Sequence, residues 1–242
     1  MSYTPPILQT LLSPDTLSRK VLLALEVFDP LSQSLVSSGL GVAATGLGTP
    51  IVSLSGRFVW LDEGGAWPSQ ITVDPVNLPY VRVTVQPPKP PDPANVTSDQ
   101  RRVRVVLQPT AAADFSSGVT AVRGQLFEAT TAPSAPATDA TAQLAWYDGE
   151  AKAWVPSPEL PAPPSKTGEF GVFVRLQPTV QQEPDLNGRL LKVRVQFTRG
   201  GTTRATPDNY PFLADPNAAG RIIDGELLES ALRLGWAELV AT

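Results

Sequence analysis

The sequence contains no cysteine and no histidine in 242 residues. Without cysteine there is no disulfide framework, no thiolate nucleophile and no cysteine-ligated zinc. Without histidine a Ser-His-Asp triad cannot be assembled, and the usual proton shuttle near neutral pH is missing. Charge is sparse as well: 17% of residues are Asp, Glu, Lys or Arg, and the formal net charge is −4. Phosphate recognition needs a basic face, so this balance argues against nucleic acid as a partner. No run approaches the roughly 18 consecutive apolar residues of a membrane-spanning helix. The opening MSYTPPILQTLLSPDTLSRK lacks the basic start, apolar stretch and small-residue site of a secretory leader. The expectation is a chain made and folded in the cytoplasm, which can leave the cell as part of a particle, with no membrane partner.

Proline is the abundant residue. The chain has 26 prolines, about twice ordinary usage, which works against long helices and favours short strands joined by turns. A hydrophobic content of 42% supplies ordinary buried cores. The length suits two domains of about 100 residues each.

A repeat supports that division. Ser55-Gly56-Arg57-Phe58-Val59-Trp60-Leu61 recurs, altered, as Thr167-Gly168-Glu169-Phe170-Gly171-Val172-Phe173. Each copy is followed by an alternating run, Tyr80–Val85 and Leu191–Phe197, with Arg82 as far beyond Gly56 as Arg194 is beyond Gly168. Upstream, Glu26-Val27-Phe28-Asp29 matches Gln125-Leu126-Phe127-Glu128. The boundaries predicted are an arm over 1–18, a β-sandwich domain over 19–108, a linker over 109–118, a second β-sandwich domain over 119–206 and a C-terminal extension over 207–242. The fold class expected is all-β: two tandem antiparallel β-sandwich domains with a short N-terminal arm and a C-terminal amphipathic helix.

Alternation assigns faces within the strands. Phe58 and Trp60 share one face. Val103, Val105 and Leu107 point inward, with Arg102 and Arg104 outward. Asp148-Gly149 signals a hairpin turn. The arm carries Ile7, Leu8, Leu11 and Leu12 at helical spacing between prolines, which predicts an apolar hook. From Asp224, read as the N-cap, the residues Leu227, Leu228, Ala231, Leu232 and Trp236 fall on one stripe and predict the chain's only helix.

A strand, a variable stretch, a turn ending in Gly-x-Phe and a strand of alternating valines resembles the carboxypeptidase regulatory-like (transthyretin-like) domains and other Ig-like sandwiches. The residues that carry it are Gly56-Arg57-Phe58 with Tyr80–Val85, and Gly168-Glu169-Phe170 with Leu191–Phe197. Leu78-Pro79 stands where such domains commonly have Gly-x-Tyr. The resemblance covers roughly 19–108 and 119–200 and implies a sandwich fold and a role as spacer, adhesin or assembly part.

No catalytic, cofactor-binding or metal-binding set emerges. Gly39-Leu40-Gly41 and Gly46-Leu47-Gly48 lack the lysine and the helix start of a phosphate cradle. Asp62-Glu63 and Asp148/Glu150 sit beside glycines as solvated turn residues. Asn95-Val96-Thr97 matches a glycosylation triplet that has no meaning without secretion. Arg101, Arg102 and Arg104 form a small basic patch. Of the aromatics, Trp60, Trp67, Tyr80, Trp146, Tyr147 and Trp154 could stack on sugars if exposed, while core packing accounts for most of them. The function expected is a non-enzymatic structural protein, a subunit of a multi-protein assembly such as a phage tail or contractile injection particle. Its partners are then other protein subunits, copies of itself included, reached through Ile7, Leu8, Leu11, Leu12, Leu227, Leu228, Leu232 and Trp236. The second choice is a carbohydrate- or surface-binding β-sandwich module.

Overall fold

The computed structural model describes residues 20–90, 97, 99–115, 118–131, 134–176, 190–228 and 231–242. The arm, with Ile7, Leu8, Leu11 and Leu12, lies outside them. Proline and glycine punctuate the chain so closely that the described residues form seventeen strands and only three single-turn 3-10 helices. The protein is all-β.

The first half supplies β1 (Val21–Asp29), β2 (Ser34–Leu35), β3 (Leu40–Ala44), β4 (Ile51–Val52), β5 (Phe58–Leu61), β6 (Ile71–Pro75), β7 (Val83–Val85) and β8 (Arg102–Val106). β1 is the spine of one sheet. It pairs antiparallel with β5, Leu25 facing Phe58, and parallel with β8, Leu25 facing Val103. β2 pairs with its far end, and β4 lies outside β5. β3, β6 and β7 form a second, antiparallel sheet. Leu23, Leu25, Val27, Phe58, Trp60, Val103 and Val105 of the first sheet share one buried cluster with Ala44, Ile71 and Val73 of the second. Each large apolar side chain removed from water there contributes about 1.5–3 kcal/mol.

The second half supplies β9 (Thr120–Phe127), β10 (Thr141–Asp148), β11 (Ala153–Pro156), β12 (Glu169–Val174), β13 (Leu190–Arg199), β14 (Thr202–Ala205), β15 (Arg221–Ile223), β16 (Leu232–Gly235) and β17 (Val240–Ala241). β9 pairs antiparallel with β12 and parallel with β16. The other sheet runs β11-β10-β13-β14-β17, with β15 on the leading end of β13. Val122, Leu126, Phe170, Val172 and Leu234 meet Leu144, Trp146, Val193, Val195 and Phe197 in the second core.

The halves repeat each other in connectivity. β1, β5 and β8 are arranged as β9, β12 and β16, and β3-β6-β7 as β10-β13-β14. The parallel last strand even repeats one contact: Arg104 lies over Phe28 at 3.9 Å, and Arg233 over Phe127 at 4.3 Å. Gly56 and Gly168 are equivalent, each at positive φ (77° and 72°) just before the strand that pairs antiparallel with its half's first strand.

Two sequence expectations fail. Arg82 and Arg194 are not equivalent: Arg82 precedes β7, an outer strand of its sheet, whereas Arg194 sits within β13, the counterpart of β6. Alternating valines mark any half-buried strand and carry no strand identity. The C-terminal helix is also absent among the described residues. Asp224 lies in a turn, Leu232–Gly235 is strand β16, and Trp236–Glu238 is a single 3-10 turn. Leu232 and Leu234 are both buried with Arg233 exposed between them, a period of two rather than 3.6. β9 offers an open edge there, and Gly124 permits the approach: a Cβ on it would lie 2.5 Å from the Leu232 carbonyl oxygen.

Residues 109–115, the described part of the linker expected over 109–118, are packed from both sides. Thr110 N–H donates to the Pro79 carbonyl (2.9 Å). Phe115 and Ala113 join Leu31 from the first half and Val119, Ala121 and Phe173 from the second in a third buried cluster. Arg175 Nη2 donates to the Leu31 carbonyl (2.8 Å) across the joint.

Candidate functional site

The structure distributes the expected partner-binding residues among different environments. Leu228 and Leu232 are buried in the second core, and Trp236 packs partly buried against it. Trp236 also lies near two guanidinium groups, Arg199 at 5.7 Å and Arg204 at 5.1 Å. Leu227 packs against the cluster at the joint. These four side chains therefore do not form one exposed stripe; they close the chain's own cores.

The charged motifs resolve into local structure. Asp148 Oδ1 accepts from the Glu150 (2.9 Å) and Ala151 (3.1 Å) amides and shapes the β10–β11 turn. Lys152, not Gly149, takes the positive φ there (51°). Among the described residues no three acidic side chains gather into a cation site. The basic patch ties β8 to β1. Arg101 is buried and donates to the Val21 carbonyl (2.7 Å). Arg102 faces Glu26 (3.9 Å) and Asp99 (3.6 Å). Glu26 is held more closely by Arg57 from β5's approach, at 2.7 Å.

Of the aromatic set, Trp60 and Trp146 are core residues, with Trp60 Nε1 donating to the Gly48 carbonyl (2.8 Å). Trp67 and Tyr80 pack partly buried against the first core. Burial, then the adjacent Asp29 carboxylate, pushes the Tyr80 hydroxyl well above the usual tyrosine range. Tyr147 and Trp154 differ. They are a cross-strand pair on the outer face of the β11-β10-β13 sheet, in T-shaped contact at 5.4 Å. Lys192 Nζ lies 4.3 Å from the Tyr147 ring, and the Arg194 guanidinium 4.6 Å from Trp154.

Among the described residues, three of the exposed large apolar side chains lie on the hairpin of β4 and β5. Ile51 and Val52 are 54% and 49% exposed, and Leu54 at the tip is fully exposed. Among the described residues β4 pairs with β5 alone. The hairpin is nevertheless well fixed. Ser53 N–H donates to the Arg57 carbonyl (2.8 Å), Arg57 N–H returns to Ser53 Oγ (3.1 Å), and Arg57 is anchored to Glu26. Isoleucine, valine and leucine thus lie exposed together on an edge strand paired on one side. The sequence had a signal for it: Ile51-Val52-Ser53-Leu54, confined between Pro50 and Gly56, is too short to cover its own side chains.

A cleft of about 280 Å³ lies at the joint, lined by Val81, Pro109 and Thr110 on one side and Pro163, Ser165 and Glu169 on the other. Comparison of the chain with protein-family models, curated proteins and solved structures finds no match.

Proposed function

We propose that the protein is a non-enzymatic structural subunit of a multi-protein assembly, with two tandem β-sandwiches of the carboxypeptidase regulatory-like or Ig-like kind as its scaffold. The observation that carries this reading is the β4 hairpin. A long-lived soluble monomer normally blunts a sheet edge with charge, proline or a bulge. Here the edge is short and preceded by Pro50, yet it carries no charge and presents Ile51, Val52 and Leu54, on a hairpin whose backbone is already ordered, so a partner's apolar face can dock with little further cost in conformational entropy. The partner is another protein subunit, a copy of this chain included. A phage tail or related contractile injection particle is the setting that such a part suits.

The test is velocity sedimentation of tagged wild type and Leu54→Asp from lysates of the source organism, beside the purified proteins. Wild type is expected in a large particle. Leu54→Asp is expected to stay in the unassembled fraction with an unchanged melting temperature, because the side chain it replaces makes no core contact. Wild type that sediments as a monomer in both settings overturns the reading.

A further inference from the structure

We infer that the outer face of the β11-β10-β13 sheet is a binding site for an acidic sugar, with Trp154 and Tyr147 as the ring platform and Arg194 and Lys192 as the carboxylate anchors. The inference does not depend on the assembly reading, since the β4 hairpin lies in the other half.

Alternation places Tyr147 and Ala145 of β10, Trp154 of β11, and Lys192, Arg194 and Gln196 of β13 on one face, opposite the core residues Leu144, Trp146, Val193 and Val195. Ala145 stands directly across from Arg194 and is fully covered. Its small side chain leaves room for the indole and the guanidinium to approach across the intervening strand. Trp154 and Tyr147 meet at 72°, which makes a corner rather than a flat patch. A rigid pyranose ring fits such a corner, stacking on one ring and abutting the other. A flexible acidic peptide would lose more conformational freedom for the same contacts.

The two cations set the charge of the ligand. Among the described residues neither Lys192 nor Arg194 enters an ion pair. The Gln196 side-chain oxygen, oriented to accept, takes Arg194 Nε–H (3.1 Å) and Nη2–H (2.7 Å). That contact fixes the guanidinium plane and leaves Nη1 to donate elsewhere. Burial lowers the Arg194 pKa, with Asp208 acting the other way through its charge. A guanidinium partly withdrawn from water, with no carboxylate hydrogen-bonded to it, gains from an incoming anion. Neutral sugars need only the aromatic rings. The ammonium and guanidinium against those rings select a sugar that bears a carboxylate.

The experiment is calorimetric titration of the full chain with oligogalacturonate, a uronic-acid oligomer. A neutral gluco-oligosaccharide of the same length and an oligoglutamate are titrated in parallel. The uronate is expected to bind, and both comparison ligands to bind at least about tenfold more weakly. Trp154→Ala and Arg194→Gln are each expected to weaken uronate binding by about tenfold or more. Lys192→Gln, which removes the ammonium from over the Tyr147 ring, is expected to weaken uronate binding as well and keeps the test available should Trp154→Ala fail to fold. No uronate binding at millimolar concentration overturns the site, as does binding unchanged in these variants. Oligoglutamate binding as tightly as the uronate overturns the sugar assignment.

Discussion

Phe170 and Tyr80 show two ways in which a single ring holds this chain together. Phe170 meets Phe197 edge-on at 5.0 Å and is 4% exposed, so it joins β12 to β13 across the second core. Phe170→Ala is expected to cost about 3–5 kcal/mol in chemical denaturation. A loss below about 1 kcal/mol would mean that the core collapses into the space at little cost. Tyr80 acts through its hydroxyl. An unfolded tyrosine ionises near pH 10, while burial and Asp29 keep the folded one neutral to higher pH. Its contribution is therefore complete below about pH 10 and falls as pH rises beyond it, because only the unfolded chain releases the proton. Thermal melts across that range are expected to show a falling transition temperature that Tyr80→Phe makes shallower. Tyr210, also raised by burial, accounts for part of what remains. An equally steep fall in Tyr80→Phe would assign the whole effect to other groups.

At the scale of elements, β16 is the instructive strand. Leu227, Leu228, Ala231, Leu232 and Trp236 fit a helical stripe, whereas Leu232 and Leu234 fit a strand. In so short a segment periodicity alone does not decide between them. What decides is the open edge of β9 beside Gly124, which is far away in sequence. What alternation within a strand or a turn dipeptide specifies was legible. Phe58 and Trp60 are buried, Val103, Val105 and Leu107 point inward, and Asp148-Gly149 opens the β10–β11 hairpin. The parallel pairings of β8 and β16 were not legible, because each joins residues from opposite ends of its half. The β4 surface was missed for a related reason: an apolar strand reads as buried until the sheet shows that nothing covers it. The strand assignment of β16 has a direct consequence. Truncation after Leu228 removes Leu232, Leu234 and Leu239 from the second core and is expected to abolish the second half's thermal transition. Were this segment a separate extension, that transition would persist unchanged.

For the whole molecule, the decisive region is the joint. The chain between the halves lies against β12 so closely that a Cβ on Gly171 would come within 2.9 Å of Phe115 Cζ and 3.1 Å of Ala111 Cα. Together with Leu31, Phe173 and the Arg175 hydrogen bond, this contact fixes the angle between the halves, and with it the direction in which the β4 hairpin points relative to the Tyr147–Trp154 face. Gly171→Val should wedge the contact apart. Small-angle scattering is expected to give a larger radius of gyration for the variant while the first half melts as before. An unchanged scattering profile would mean that the joint absorbs the added methyl groups without opening.

The parallel pairing of β1 with β8 also determines how the first half responds to force. The chain enters at the leading end of β1 and leaves at the trailing end of β8, and in parallel strands those ends lie at opposite ends of the ladder. Tension applied through the chain therefore slides the strands past each other and loads the five paired positions from Ala24↔Arg102 to Phe28↔Val106 together. An antiparallel first and last strand pulled from one end would instead open one bond at a time. The second half repeats the parallel pairing over four positions, from Leu232↔Gly124 to Gly235↔Phe127, with the short β17 on β14 yielding first because only two positions hold it. Single-molecule stretching through both termini is expected to give two rupture peaks, the higher from the first half. A smooth extension at low force would show that the ladders are not loaded in shear.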